Sequence, residues 1–100
     1  MRENEYMLIL RLAAIESFLK KHAAARGPMA RWVEIAAACE WHDIIEVRKT
    51  LPTADAVKGT AFTCFNIGGN SYRLLTMISY PRQQILIHEL LTHAEYDKKY

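Results

Sequence analysis

This 100-residue sequence predicts an α+β fold, with helices packed on an antiparallel meander sheet. Three observations carry that prediction. Residues 11 to 50 repeat their apolar positions at helical spacing. Residues 61 to 91 are instead aromatic, β-prone and punctuated by turn signals. Helices followed by a run of strands within one short chain argue for one mixed domain. The length leaves no room for a second packed core, so residues 1–100 are expected to form a single domain.

The elements follow in order. Tyr6 to Leu10 is short and apolar, and periodicity alone does not decide between a first strand and the lead into a helix. From Leu12, the positions Leu12, Ile15, Phe18 and Leu19 form a helical stripe, with Glu16 and Lys20 between them. Arg26-Gly27-Pro28 breaks that helix, and Pro28 suits the first turn of the next. Met29, Trp32, Val33, Ala36 and Ala37 form its apolar stripe. The alanine-rich Ile35–Cys39 stretch favours helix and close packing. Trp41 to Thr50 carries Ile44, Ile45 and Val47 and reads as a third short helix, with Asp43 near its start. Leu51 to Asp55 reads as a loop.

The strands are plainer. Phe62 to Ile67 is the first. Gly68-Gly69-Asn70 is a hairpin signal, because Gly and Asn tolerate positive φ. Tyr72 to Tyr80 follows, then a turn at Pro81-Arg82-Gln83, then Ile85 to Leu91. Both faces of the last two strands carry apolar residues, so helices are expected on one face and a partial cover on the other. Pairing back from Pro81 sets Arg73 opposite about Leu91 and Ser71 opposite His93. Arg73, the glycine turn and the His93–Tyr96 segment therefore meet at one end of the sheet.

Composition narrows the function. The chain is 51% hydrophobic and 24% charged, which excludes disorder and low-complexity scaffolds. No apolar run approaches the length needed to span a bilayer, and no signal-peptide pattern follows the charged opening. Two cysteines are no disulfide framework, so a reducing cytoplasm is expected. The net charge of +2 is low for a protein held to nucleic acid by charge alone. The basic pairs Lys20-Lys21, Arg48-Lys49 and Lys98-Lys99 read first as solvated surface. Trp32 and Trp41 read as core, and Cys64 as a small core residue.

The chemistry concentrates at the sheet end. A helical turn beginning near Thr92 gives His93 and Tyr96 a shared face. Histidine transfers protons near neutrality, tyrosine orients or protonates, and arginine grips phosphate with a planar fork. Together these suit metal-free cleavage of RNA, in which the ribose 2′-OH attacks the adjacent phosphorus. On the residues alone, the bland reading stands beside it: an arginine in an ion pair and a histidine capping a corner. Cys39-x-x-His42 and His88-x-x-x-x-His93 supply potential zinc ligands only at loose spacing, and no metal is expected. Phosphate-loop and dinucleotide fingerprints do not occur.

Two blocks carry a resemblance. Phe65-Asn66-Ile67-Gly68-Gly69-Asn70-Ser71-Tyr72-Arg73-Leu74, followed by Thr92-His93-Ala94-Glu95-Tyr96-Asp97-Lys98, resembles the HigB family of bacterial toxins. Trp41 to Val57, with Arg48 and the Leu51–Asp55 stretch, is similar to the same family. The resemblance implies a RelE-like α+β ribonuclease of a type II toxin–antitoxin system, encoded beside a HigA-like helix-turn-helix antitoxin. It further implies a metal-independent mRNA interferase that cuts mRNA in the ribosomal A site. Arg73 falls on the family's strand arginine, with phosphate and transition-state stabilisation as the implied role. His93 and Tyr96 fall on its C-terminal motif: His93 for proton transfer, Tyr96 to orient or assist. Asn70 and Lys98 are expected RNA contacts, with Arg48 and Lys49 as further ones. No cofactor is implied. Ser71 stands where the family commonly has Lys, and His88 where it commonly has Arg. Those lost charges leave open a second reading, a non-catalytic toxin that binds DNA gyrase or only its antitoxin.

Overall fold

The computed structural model describes residues 6–100. Strand β1 (Leu8–Leu10) opens the fold, so the apolar Tyr6–Leu10 stretch resolves as a strand. A 3₁₀ turn at Leu12–Ile15 leads into α1 (Glu16–Lys21), and a second at Ala23–Ala25 leads into α2 (Arg26–Ala37). The long helix expected before Arg26 is thus segmented. Pro28 sits in the first turn of α2, where a missing N–H costs nothing. Helix α3 (Ile44–Thr50) is capped by Asp43, whose side chain accepts from the Glu46 N–H at 2.9 Å.

The meander follows as β3 (Thr63–Ile67), β4 (Tyr72–Ser79) and β5 (Gln84–Thr92). A short β2 (Asp55–Ala56) pairs with β3, so Asp55 belongs to a strand and the expected loop ends one residue earlier. Helix α4 (His93–Lys99) closes the described chain. The sheet order is β1-β5-β4-β3-β2. All pairings are antiparallel except β1 with β5, so the expected meander lies inside a mixed sheet. The register sets Arg73 opposite Leu91 and Tyr72 opposite Thr92, as the turn positions predict. A bulge interrupts the ladder after Leu75 and leaves His88 without a cross-strand partner.

Alternation along the strands sorts two faces. Phe65, Ile67, Leu74, Ile85, Ile87 and Leu90 point to the main core, against Ile15, Leu19, Met29, Trp32, Trp41 and Val47. Phe65 is its centre: Trp32 meets it edge-on at 5.2 Å and Trp41 stacks on it at 6.0 Å. Both tryptophans are buried, as expected, although only Trp32 lies on a helix; the third helix begins at Ile44 and leaves Trp41 in the segment before it. The opposite face holds a smaller cluster of Val57, Cys64 and Leu75, covered by Phe62, Leu91 and Tyr96. Helix α4 is therefore the partial cover expected over the second face. Among the described residues, no helix is long and apolar enough to cross a membrane.

Candidate active site

Local chemistry builds the site from its turn. Gly68 and Gly69 both take positive φ, 64° and 66°, which L side chains rarely adopt. The turn closes with the Ser71 N–H donating to the Gly68 carbonyl at 3.2 Å. Arg73 follows on β4 and folds back onto this turn. Its guanidinium donates to the Asn70 carbonyl at 3.2 Å, the Tyr72 carbonyl at 3.1 Å and the Asn70 Oδ1 at 2.7 Å. Arg73 is only 9% exposed, and a cation so buried needs such acceptors. Three of its five N–H groups are used. The other two have no hydrogen-bond partner among the described residues.

Helix α4 starts where β5 ends, beside the start of β4. Thr92 caps it in a reciprocal box: the Glu95 N–H donates to Thr92 Oγ1 at 3.1 Å, and the Thr92 N–H donates to Glu95 Oε1 at 2.9 Å. These bonds hold the Glu95 carboxyl below its ordinary range, the Thr92 backbone donor contributing most. The His93 N–H donates to the Ser71 carbonyl at 3.0 Å, tying the helix to the turn.

The helix splits its side chains between sheet and solvent. Tyr96 turns inward, with the Arg73 guanidinium 5.9 Å from its ring centroid. Burial raises the Tyr96 phenol above its ordinary value, helped by a hydrogen bond with Cys64 and opposed by the Arg73 charge. Burial likewise pushes the Cys64 thiol up, against the Arg73 charge. His93 stays half-exposed, its Nε2 3.3 Å from Asp97 Oδ2 one turn on. A pair this open contributes a few tenths of a kcal/mol at most, so its value lies in orienting the imidazole. Lys98 is exposed beside them.

Asn70, Arg73, His93, Tyr96 and Lys98 thus lie on the turn, the start of β4 and the helix docked beside it. Arg48 and Lys49 do not join them. They stand exposed in the last turn of α3, whose buried Val47 packs on the opposite face of the sheet. Asp97 was not singled out from sequence, although its four-residue spacing from His93 was a readable signal. The contacts of Arg73 with the turn carbonyls were not readable, since they depend on how the turn folds. Among the described residues, no three His, Cys, Asp or Glu side chains converge as metal ligands.

Helices packed on a five-stranded, largely antiparallel sheet have the architecture of the RelE-like class of toxin domain. The family match is direct. Residues 25–99 match the HigB toxin family, described as the RelE-like toxic component of a toxin–antitoxin system. The chain belongs to that family. A stretch of 33 residues is 46% identical to the mRNA interferase toxin HigB of Escherichia coli strain K12, covering 33% of this chain and 32% of that protein. The mRNA interferases HigB of Escherichia coli O157:H7 and Shigella flexneri match to the same extent. The matched stretch spans about a third of each curated relative.

Proposed function

We propose that this toxin is a ribosome-dependent, metal-independent endoribonuclease that cuts mRNA in the A site and so arrests translation. The observation that carries the reading is the gathering of Arg73, at the start of β4, with His93 and Tyr96 of α4 at one end of the sheet, in a family whose similar members are named mRNA interferases. His93, open to solvent and oriented by Asp97, exchanges a proton with the reacting strand. The 2′-oxygen loses its proton and bonds to phosphorus. The bond from phosphorus to the 5′-oxygen breaks, and that oxygen gains a proton. The free N–H groups of Arg73 stabilise the charge that builds on the phosphoryl oxygens. Tyr96 acts mainly by positioning, because its phenol is engaged with Cys64 and its raised proton affinity suits a neutral ring at physiological pH. Asn70 and Lys98 contact the strand near the cut, and Arg48 and Lys49 contact RNA farther away. A HigA-like helix-turn-helix antitoxin neutralises the toxin in the cytoplasm.

One observation favours a second reading. The guanidinium of Arg73 is largely spent on the turn, which suits a structural strut in a toxin that only binds a target such as gyrase. End-labelled mRNA incubated with the protein, with and without programmed ribosomes, separates the two. Cuts within the A-site codon that vanish in folded His93→Ala are the expected result. Cuts on naked RNA would discard the ribosome dependence. No cuts from folded wild-type protein would leave the binding reading.

A further inference from the structure

At the same end of the sheet, on the face opposite Tyr96, stands a ring cluster of which the motif blocks contain only Tyr72. Helix α1 ends at His22, whose N–H donates to the Phe18 carbonyl at 2.9 Å. One helical turn of separation lays the imidazole on the Phe18 ring, with centroids 4.3 Å apart and planes 24° from parallel. Tyr72, the first residue of β4, meets Phe18 edge-on at 5.8 Å and His22 at 6.1 Å. Tyr72 connects this cluster to the site. It precedes Arg73, pairs with the cap residue Thr92, and flanks Gly68 so closely that a Cβ there would lie 3.4 Å from its ring. His22 also lies near enough to Glu95, in the first turn of α4, to lower that carboxyl's proton affinity slightly.

All three rings are half-buried, so none is spent wholly on the core. The nitrogens of His22 make no hydrogen bond with any described residue. Lys20 and Lys21 precede it, exposed in the last turn of α1. Half-open rings flanked by cations are what single-stranded RNA requires, a stacking surface for a base beside charge for the backbone. Glu95 is the nearby countercharge, and its carboxylate is occupied by the Thr92 N–H. His22 also precedes residues 25–99 that match the family.

We propose that His22, supported by Phe18 and Tyr72, stacks on a nucleotide of the RNA strand leading to the cleavage site, with Lys20 and Lys21 facing its phosphates. The inference rests on the mRNA-cleaving reading and extends it to the N-terminal helix. The test is single-turnover cleavage on programmed ribosomes by wild type, His22→Ala, His22→Phe and the remote control His42→Ala, each checked for an unchanged melting curve. His22→Ala should raise the half-saturating ribosome concentration roughly five- to hundredfold, the span of one lost base–aromatic stack. His22→Phe should recover most of that loss, and His42→Ala should match wild type. Cleavage unchanged in His22→Ala would overturn the proposal and leave the nuclease intact. If wild type does not cut, 4-thiouridine mRNA crosslinked on the ribosome decides: adducts at Phe18, His22 or Tyr72 support the proposed stack, and their absence overturns it.

Discussion

Arg73 carries two duties that a substitution separates. Its fork satisfies two main-chain carbonyls and the Asn70 side chain at once, and it supplies the charge beneath Tyr96. A lysine keeps the charge but offers a compact ammonium with no planar fork. Arg73→Lys should therefore lose about 1–3 kcal/mol of stability, the cost of leaving buried acceptors without their donors, measured as a lower denaturant midpoint. An unchanged midpoint would mean that the turn holds itself. The presence of Arg73 at this end was legible in sequence, because the strand pattern and the turn at Pro81 fix the register. Its burial was not, because nothing in the spacing reveals that the guanidinium folds back on residues 70 and 72. His93 was legible as a position, at a helical turn beginning near Thr92; its exposure was not, because a one-residue slip in register reverses a side chain.

Helix α4 is too short to stand on propensity alone and is held at both ends. The Thr92–Glu95 box secures its start. Its far end rests on Glu89, which accepts from Lys99 Nζ at 3.0 Å and from the Tyr100 hydroxyl at 2.7 Å. Burial alone would push the Glu89 carboxyl up, but the Tyr100 and Lys99 bonds outweigh it and hold the group low. Burial and the same carboxylate push the Tyr100 phenol up to about 12. The signs are opposite at the two limits. Glu89's contribution is present above the ordinary carboxylate range and fades as pH falls through its lowered value. That of Tyr100 is full below the ordinary tyrosine value and fades as pH rises through about 12. A spectroscopic tyrosine titration should show a component near that limit, and Tyr100→Phe should remove it. A titration identical in both proteins would dissolve the anchor. At this scale the three long strands, α2, α3 and the capped turn at Thr92 were readable from alternation, stripe and cap residues. Strand β1, strand β2 and the bulge at His88 were not. Each exists through a neighbour distant in sequence, and two or three residues carry no periodicity of their own.

Across the whole molecule, Gln83 joins parts that no local pattern connects. It ends the turn before β5 at a positive φ of 55°. Its side chain donates to the Trp41 carbonyl at 2.6 Å and the Tyr80 carbonyl at 2.9 Å, while its own carbonyl accepts from the Leu8 N–H at 2.8 Å. Sheet, helical layer and first strand thus share one residue, which is 7% exposed. Gln83→Ala should cost about 1–3 kcal/mol by stranding the Trp41 carbonyl, seen as a lower melting temperature. Gln83→Gly should cost less than the loss of the bonds implies, because it relieves the left-handed backbone. Equal melting of wild type and Gln83→Ala would deny the residue this role.

The parallel pairing of β1 with β5 also bears on how the toxin comes into being. Leu8 and its neighbours wait for partners at Gln84–Leu86, distant in sequence. Closing so wide a loop delays the reward of contact until β5 has been made. Arg73 is synthesised before β5, and His93 and Tyr96 after it. A nascent chain therefore carries these groups apart from one another, and they assemble only once the strand that seals the sheet has emerged.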